Sequence, residues 1–551
     1  MTRRSVALLA AVLVLVGLVA LAPSSSAGRP GDPDRLLQHL SSGVASRYYL
    51  AHPDKAPEAA RSGYEALQAA VARAREAGVA ASTGKAQHRV GPLLRYTRDT
   101  DGLPQNEESV DICRQDERVV LGGTNDYRGL LDPAQNFTGW HFSDNGGAGL
   151  TSEGLLPPVM IFGKAVASGG DPVDRIGRGC GLYAASLNYD PVDPFGKPNG
   201  IGLYRSTAAT LASCGSGGTR PACWPSRRAV AGTPATHFFD KEWLDVGRSG
   251  SAGEVAWVSF TDFTNDAKAP LGYTSARIRA LRCSSDLSDC TAPQLISGTD
   301  QDTQFSDVTI GPDGRTYLSW VQVEGELQGI AQVFTVKLRV APAGSTQFGP
   351  ARIVHREKLA IPFNGHLHAD GLRVATTPQS TVAMVHGRPR VLVTWAACRV
   401  RVLDTVCEEP QIKLAWSDNQ GADWSPIAVV SAGGDNYFPT ISDSPVDGRL
   451  ALAYVTSRFD PVFHNRQDVE LLTVNVASGH VTKRQRVTPF SNEPEADPTF
   501  NDGRFVGDYF EVASVGSRAL VHFNANYVSI PYLHQGVPVA QQDNFLTRAG
   551  L

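Results

Sequence analysis

The chain has 551 residues, 42% of them hydrophobic, and its 51 basic and 55 acidic side chains leave a formal charge of −4. That length holds roughly two to four ordinary domains or one large repeat array, and the apolar share is enough for a sizeable core. The near balance of charge excludes nucleic-acid binding as the main task, because polyanion recognition needs a strongly basic face.

In chain order, the first element is "MTRRSVALLAAVLVLVGLVALAPSSSAG", in which Arg3 and Arg4 precede an apolar run from Val6 to Ala22 and small residues ending at Ala27. This order of charge, apolar stretch and small-residue site reads as a secretory signal, residues 1–27, cut after Ala27. The alternative is an anchor, since the run is only a little short of a spanning helix. No later stretch is apolar enough to span, so stable membrane insertion after cleavage is not expected.

Export sets how the eight cysteines are read. Cys214 with Cys223, Cys283 with Cys290, and Cys398 with Cys407 enclose short loops, which leaves Cys113 for Cys180. An even count at local spacings in an exported chain favours disulfides over metal.

Residues 28–85 read as a small helical hairpin. Leu36, Leu40 and Val44 form one stripe; a second helix begins at Pro57, aligns Tyr64, Leu67 and Val71, and stops at Gly78.

From about residue 105 the pattern changes to short β-branched and aromatic runs broken by Gly, Pro, Asp and Asn, which marks an all-β body over 86–551. One phrase recurs in it: a short strand, a tight turn, then a stronger apolar strand. Copies include "ESVDICRQDERVVLGGTNDY" (108–127), "FSDVTIGPDGRTYLSWV" (305–321) and "VGDYFEVASVGSRALVHFNANY" (506–527). Seven such phrases at a period of about 60 to 70 residues, each followed by further strands, predict a β-propeller of seven blades, with six as the alternative. The last phrase lacks a fourth strand, which "HRVGPLLRY" (88–96) can supply by pairing the two ends of the chain.

"SDNQGADW" (417–424) lies between a third and a fourth strand. Ser417, Asp418 and Asn419 can bond nearby backbone N–H groups, Gly421 takes a conformation other residues resist, and Trp424 folds under the turn. "SDNGGAGL" (143–150) nearly repeats it, and "SSDLSDCT" (284–291) is a decayed copy. The spacing resembles the Asp-box, or BNR repeat, of the sialidase superfamily. Asn419 stands where that family usually has Asp, and Leu150 replaces the aromatic residue.

The chemistry is expected at the central funnel. The loops entering the inner strands supply Glu108, Asp171, Glu242, Asp307, Asp370 and Asp508. Such a rim can bind calcium or serve glycoside hydrolysis; alternatively each acid only caps its own loop. The loops leaving the second strands supply Arg128, Arg399 and Arg458. The resemblance to sialidases implies three arginines clamping a carboxylate, a Tyr nucleophile activated by Glu, and an Asp acid. Tyr509 and Glu511, on one strand face at period two, match the nucleophile pair, and Asp171 the acid. The family's Arg-Ile-Pro phrase is absent, and "DRIG" (174–177) is the nearest string. In "HLHAD" (366–370), His366, His368 and Asp370 at spacing two are the weak metal candidates, and "NFT" (136–138) matches a glycosylation acceptor.

The sequence therefore predicts a secreted, monomeric, sialidase-like propeller acting on an extracellular glycan or glycoprotein as an exo-acting glycoside hydrolase. The alternative is a non-catalytic propeller that binds a glycan, a protein or calcium through the same funnel.

Overall fold

A computed structural model describes residues 34–76, 87–327, 331–363, 365–402, 405–444, 448–497, 505–531 and 538–551. The predicted signal segment lies outside these residues. Three helices come first: α1 (Asp34–Leu37), α2 (Ser42–Ala51) and α3 (Glu58–Glu76). Leu36, Leu40 and Val44, and further on Leu67 and Val71, are buried. The stop expected at Gly78 lies outside the described residues.

From residue 87 on, the described residues are nearly all β. Among the described residues, seven antiparallel sheets have four or five strands each. Their inner strands are, in order, Gln105–Ile112, Ser168–Ile176, His237–Arg248, Thr303–Ile310, Gln379–Val385, Asn436–Ser444 and Glu511–Val515. Within six of these sheets the strands follow in chain order from the inside outward, and in the seventh the three inner strands do. Each inner strand packs against the next, and Glu511–Val515 returns to Gln105–Ile112, so the sheets form a closed circuit. Leu93–Arg95 pairs antiparallel with Pro538–Gly550 in the seventh sheet. The chain ends thus supply one another's missing partner and cover an otherwise open edge.

Apolar contact between neighbouring sheets makes the core. Trp140, Trp257, Trp320 and Trp395 are fully buried, and one cluster joins Tyr183 and Leu203 of the second sheet to Trp257 and Phe263 of the third and Trp320 of the fourth. All four expected disulfides are present. Cys113–Cys180 joins the first sheet to the second across 67 residues, while the other three close loops of 7 to 9 residues.

A feature not read from the sequence recurs where the inner strands begin. In five sheets the pairing slips by a β-bulge there. Glu107, Asp171, Lys241, Phe305 and Phe438 take φ of 60°, 53°, 54°, 51° and 49° at that place, and Gly507 takes 94° before the seventh sheet. A left-handed backbone costs a non-glycine residue roughly 1–2 kcal/mol. A bulge re-aims side chains, and this repeated one brings the residues around it to the axis.

In the turn at 417–424 Ser417 and Asn419 bond backbone N–H groups as expected, whereas the Asp418 carboxylate is taken by Arg390 at 2.6 Å. The Gly421 and Asn419 N–H groups donate to Ser417 Oγ at 2.8 and 3.3 Å, and the Asp423 N–H donates to Asn419 Oδ1 at 2.9 Å. Gly421 has φ +83°, and a Cβ there would lie 3.3 Å from the Trp424 ring. The turn at 143–149 repeats these bonds with Ser143, Asn145, Gly147 and Gly149.

Candidate functional site

The bulged starts of the inner strands enclose a cavity of about 40 Å³ lined by Asp171, Lys241, Trp243, Asp307, Asp508 and Tyr509. Trp243 and Asp307 also border a wider axial channel of about 570 Å³, which passes Asp111, Arg175, Asp245 and Glu511.

At the mouth, Glu107 and Asp171 share a hydrogen bond between their carboxyl groups. Asn125 holds both: its Nδ2 donates to Glu107 Oε2 at 2.6 Å, and its Oδ1 accepts from the Asp171 N–H at 2.8 Å. The Asp508 N–H donates to Glu107 Oε1 at 3.0 Å. Burial, then the charge of Asp508, pushes Glu107 up to about 7. Burial, then Glu107, Asp240 and Glu242, holds Asp171 well above the usual carboxylate range. Two carboxyls this close cannot both ionise cheaply, so at neutral pH the pair keeps a proton.

Tyr509 stands edge-on to Trp243, with ring centroids 5.7 Å apart, and donates its hydroxyl to the Pro172 carbonyl at 2.8 Å. Burial, followed by Glu107 and Asp171, raises it well above the ordinary phenol range. Glu511 is engaged in bidentate fashion by Arg175 at 2.9 and 2.8 Å, and the Arg175 guanidinium lies 5.5 Å from the Trp243 ring centroid. Asp508 faces two cations, Lys241 Nζ at 3.6 Å and Arg373 Nη2 at 3.3 Å. The N-terminal helices cover this mouth: Ser41, the N-cap of α2, donates its hydroxyl to Asp171 Oδ1 at 2.9 Å and its N–H to Asp240 Oδ2 at 2.6 Å.

The structure thus places Asp171, Glu242, Asp307, Asp508 and Tyr509 around one cavity, with Glu511 in the adjoining channel. Glu108 lines a small space beside Phe438, Phe510 and Phe523 instead, and burial holds both Glu108 and Glu242 well above the usual carboxylate range. Asp370 does not join them. It lies in a turn after the two-residue strand His366–Leu367, outside the fifth sheet, and accepts the Leu372 N–H at 2.9 Å. His368 beside it is exposed, and among the described residues no three His, Cys, Asp or Glu side chains are grouped to hold a metal.

The predicted arginines do not meet. Arg128 is buried against Asp126, with Glu153 at 3.6 Å and Asp99 at 3.8 Å. Arg399 pairs with Glu409 at 3.0 Å and Arg458 with Glu470 at 2.7 Å. Each is taken by a carboxylate of its own neighbourhood; the channel is lined by other arginines, Arg114, Arg175, Arg178 and Arg248, the cavity by Lys241, and Arg373 reaches the cavity through Asp508. Arg175 belongs to the "DRIG" string. Asn136 cannot serve as a glycosylation acceptor: it is fully buried, and its Nδ2 donates to Asp132 and Thr219 at 3.0 and 2.9 Å.

Sequence reasoning missed Glu107, Asn125, Asp240, Lys241 and Arg373. The bulge explains part of this, because a one-residue slip exchanges the two faces of a strand. Asp171 therefore corresponds to Glu107 and Lys241, not to Glu108 and Glu242.

No protein-family model matches the chain, and no curated protein matches it. Among solved structures it is similar to a Hadza microbial sialidase at 10% identity and TM-score 0.42, over 69% of this chain and 65% of that one. Similarity to phage phi92 endosialidase is 11% identity and TM-score 0.40, over 82% and 69%. An ulvan lyase of a polysaccharide lyase family gives 8% identity and TM-score 0.45, over 83% and 96%. Likeness at this level assigns no activity, and function rests on the side chains.

Proposed function

We propose that the chain is a secreted, monomeric seven-bladed β-propeller that hydrolyses a glycosidic bond of an extracellular glycan or glycoprotein at the mouth of its funnel. The closed circuit of seven sheets supports the blade count, and the shared bonding of the turns at 143 and 417 supports reading them as Asp-boxes. Four disulfides fit an exported chain, and among the described residues no helix is long and apolar enough to cross a membrane.

The observation that carries the reading is the buried pair of Glu107 and Asp171, tied together by Asn125 beside Tyr509. Glycosidic cleavage needs an acid still protonated at working pH, to protonate the leaving oxygen, and a second group across the anomeric carbon. Asp171 is the acid, with Glu107 holding its affinity for the proton high. Tyr509 is the nucleophile: its oxygen bonds the anomeric carbon as the glycosidic bond breaks and its proton passes through water to Glu511, and a second water, giving a proton to Asp171, then splits the tyrosyl bond so that Tyr509 recovers its proton. Lys241 and Arg373 orient the sugar. Because Arg128, Arg399 and Arg458 form no common clamp, a carboxylated sialoside is not the favoured substrate.

The test is a panel of fluorogenic glycosides, sialosides included, offered to the wild type and to Asp171→Asn and Tyr509→Phe. Asn tolerates the left-handed backbone at 171. Turnover lowered about 100-fold or more by Asp171→Asn supports the acid role; no turnover on any glycoside, with the helices that cover the mouth opened as well as in the intact chain, leaves the non-catalytic glycan-binding alternative in its place.

A further inference from the structure

We infer that residues 34–76 are a detachable stopper that occupies the sugar subsite of the funnel, with the Ser41 hydroxyl where a sugar hydroxyl binds. The inference rests on reading the funnel mouth as a glycan site.

The contacts of the stopper are those a saccharide offers: a hydroxyl donating to Asp171, an N–H donating to Asp240, and the Leu40 carbonyl accepting from Arg373 Nη2 at 2.8 Å. Behind Ser41 the N-terminal end of α2 adds a partial positive charge, which suits a carboxyl-lined pocket. Gly43 permits the close approach, since a Cβ there would lie 2.9 Å from Asn125 Nδ2 and 3.4 Å from Asp171 Oδ1.

Two features make the segment separable. It supplies no strand: every sheet pairs without it, and Leu93–Arg95, which completes the seventh, follows it in the chain. Its seat is apolar but carries a buried cation: Leu36, Leu40 and Val44 share a buried cluster with Phe238 and Phe263, while Arg47, over the rings of Phe137 and Tyr189, donates through Nη2 to the Gln135 carbonyl at 2.9 Å and leaves Nε and Nη1 without a hydrogen-bond partner. Beside the Arg373–Leu40 contact, a cleft of about 730 Å³ opens between Leu37, Ala45 and Tyr49 of the segment and His368 on the rim.

The test opens the stopper without touching the ring. Gly43→Leu drives a side chain into Asn125 and Asp171; Ser41→Glu, a second route should the first fail to fold, sets a carboxylate against Asp171 and Asp240. Access is read on the full-length protein by carbodiimide-driven coupling of an amine to Asp171, followed by mass spectrometry, with circular dichroism reporting the fold. The expected result is at least 10-fold more coupling at Asp171 in either variant, with the β fold retained. Equal coupling in the variants and the wild type, or a ring that unfolds when the helices leave, overturns the stopper. Glycoside turnover is measured on the same samples. An opened funnel that cleaves nothing refutes the hydrolase reading and leaves the stopper standing, whereas an intact chain as active as the opened one refutes the stopper alone.

Discussion

Asp307 gives the sharpest test of the funnel's electrostatics. It is only 4% exposed, its Oδ2 accepts the hydroxyl of Ser380 at 2.6 Å and the Ser380 N–H as well, and burial pushes it up to about 7 from an ordinary 3.8. The folded protein keeps a proton that the unfolded chain releases between those two values. Stability therefore falls as pH rises through that window, and the loss is complete above about 7. At about 1.4 kcal/mol per tenfold change in proton affinity, the loss comes to about 4 kcal/mol. Asp307→Asn keeps an acceptor for Ser380 and has no charge to form. Near pH 4 the variant should match the wild type, and its advantage should grow to about 4 kcal/mol by pH 8. If 551 residues unfold together, an unfolding entropy of about 2.1 cal/mol/K per residue makes this a rise in Tm of roughly 3 to 4 °C. Differential scanning calorimetry of both proteins from pH 4 to pH 8 measures it. A variant that is less stable by the same margin at every pH would refute the claim that burial, and not a charge partner, governs this carboxyl.

Other outcomes follow from the same structure. His522 is fully buried and held down at about 3 by burial and by His141, so its contribution is intact above pH 6.5 and is lost as pH falls below it; His522→Gln should flatten the decline of Tm on the acid side. Replacing Cys113 and Cys180 by Ser should lower stability by about 4 kcal/mol, against about 2.5 kcal/mol for the Cys283–Cys290 pair, because the longer loop gains more freedom when unfolded; denaturant titrations of the two double variants compare them. Ser417→Ala removes the acceptor for two turn N–H groups and should cost about 1 kcal/mol. Gly421→Ala should cost more than Ser417→Ala in the same titration, since φ is +83° and the new Cβ would lie 3.0 Å from Leu338.

What the sequence alone determined is local. Strand phrases, the turns around Ser143 and Ser417, three short disulfide loops and the stripes of Leu36 and Leu67 depend on residues a few positions apart, whose geometry follows from backbone stereochemistry and hydrophobic period. Pairing of residues 93–95 with the C-terminal strand was also legible, because an incomplete last sheet demands a partner. The tertiary structure decided which charges meet. Glu107 and Asp508 are 401 positions apart and adjoin only because the circuit of sheets closes between them. Arg128 was taken by Asp126 and Glu153, and Asp370 was carried away from the axis by the turn after His366–Leu367, which pairs with Val406–Glu408 in a small sheet apart from the fifth. Spacing along the chain carries no record of such encounters: ring closure and the bulge at each inner strand set them, and side chains at the axis are neighbours through space and not through sequence.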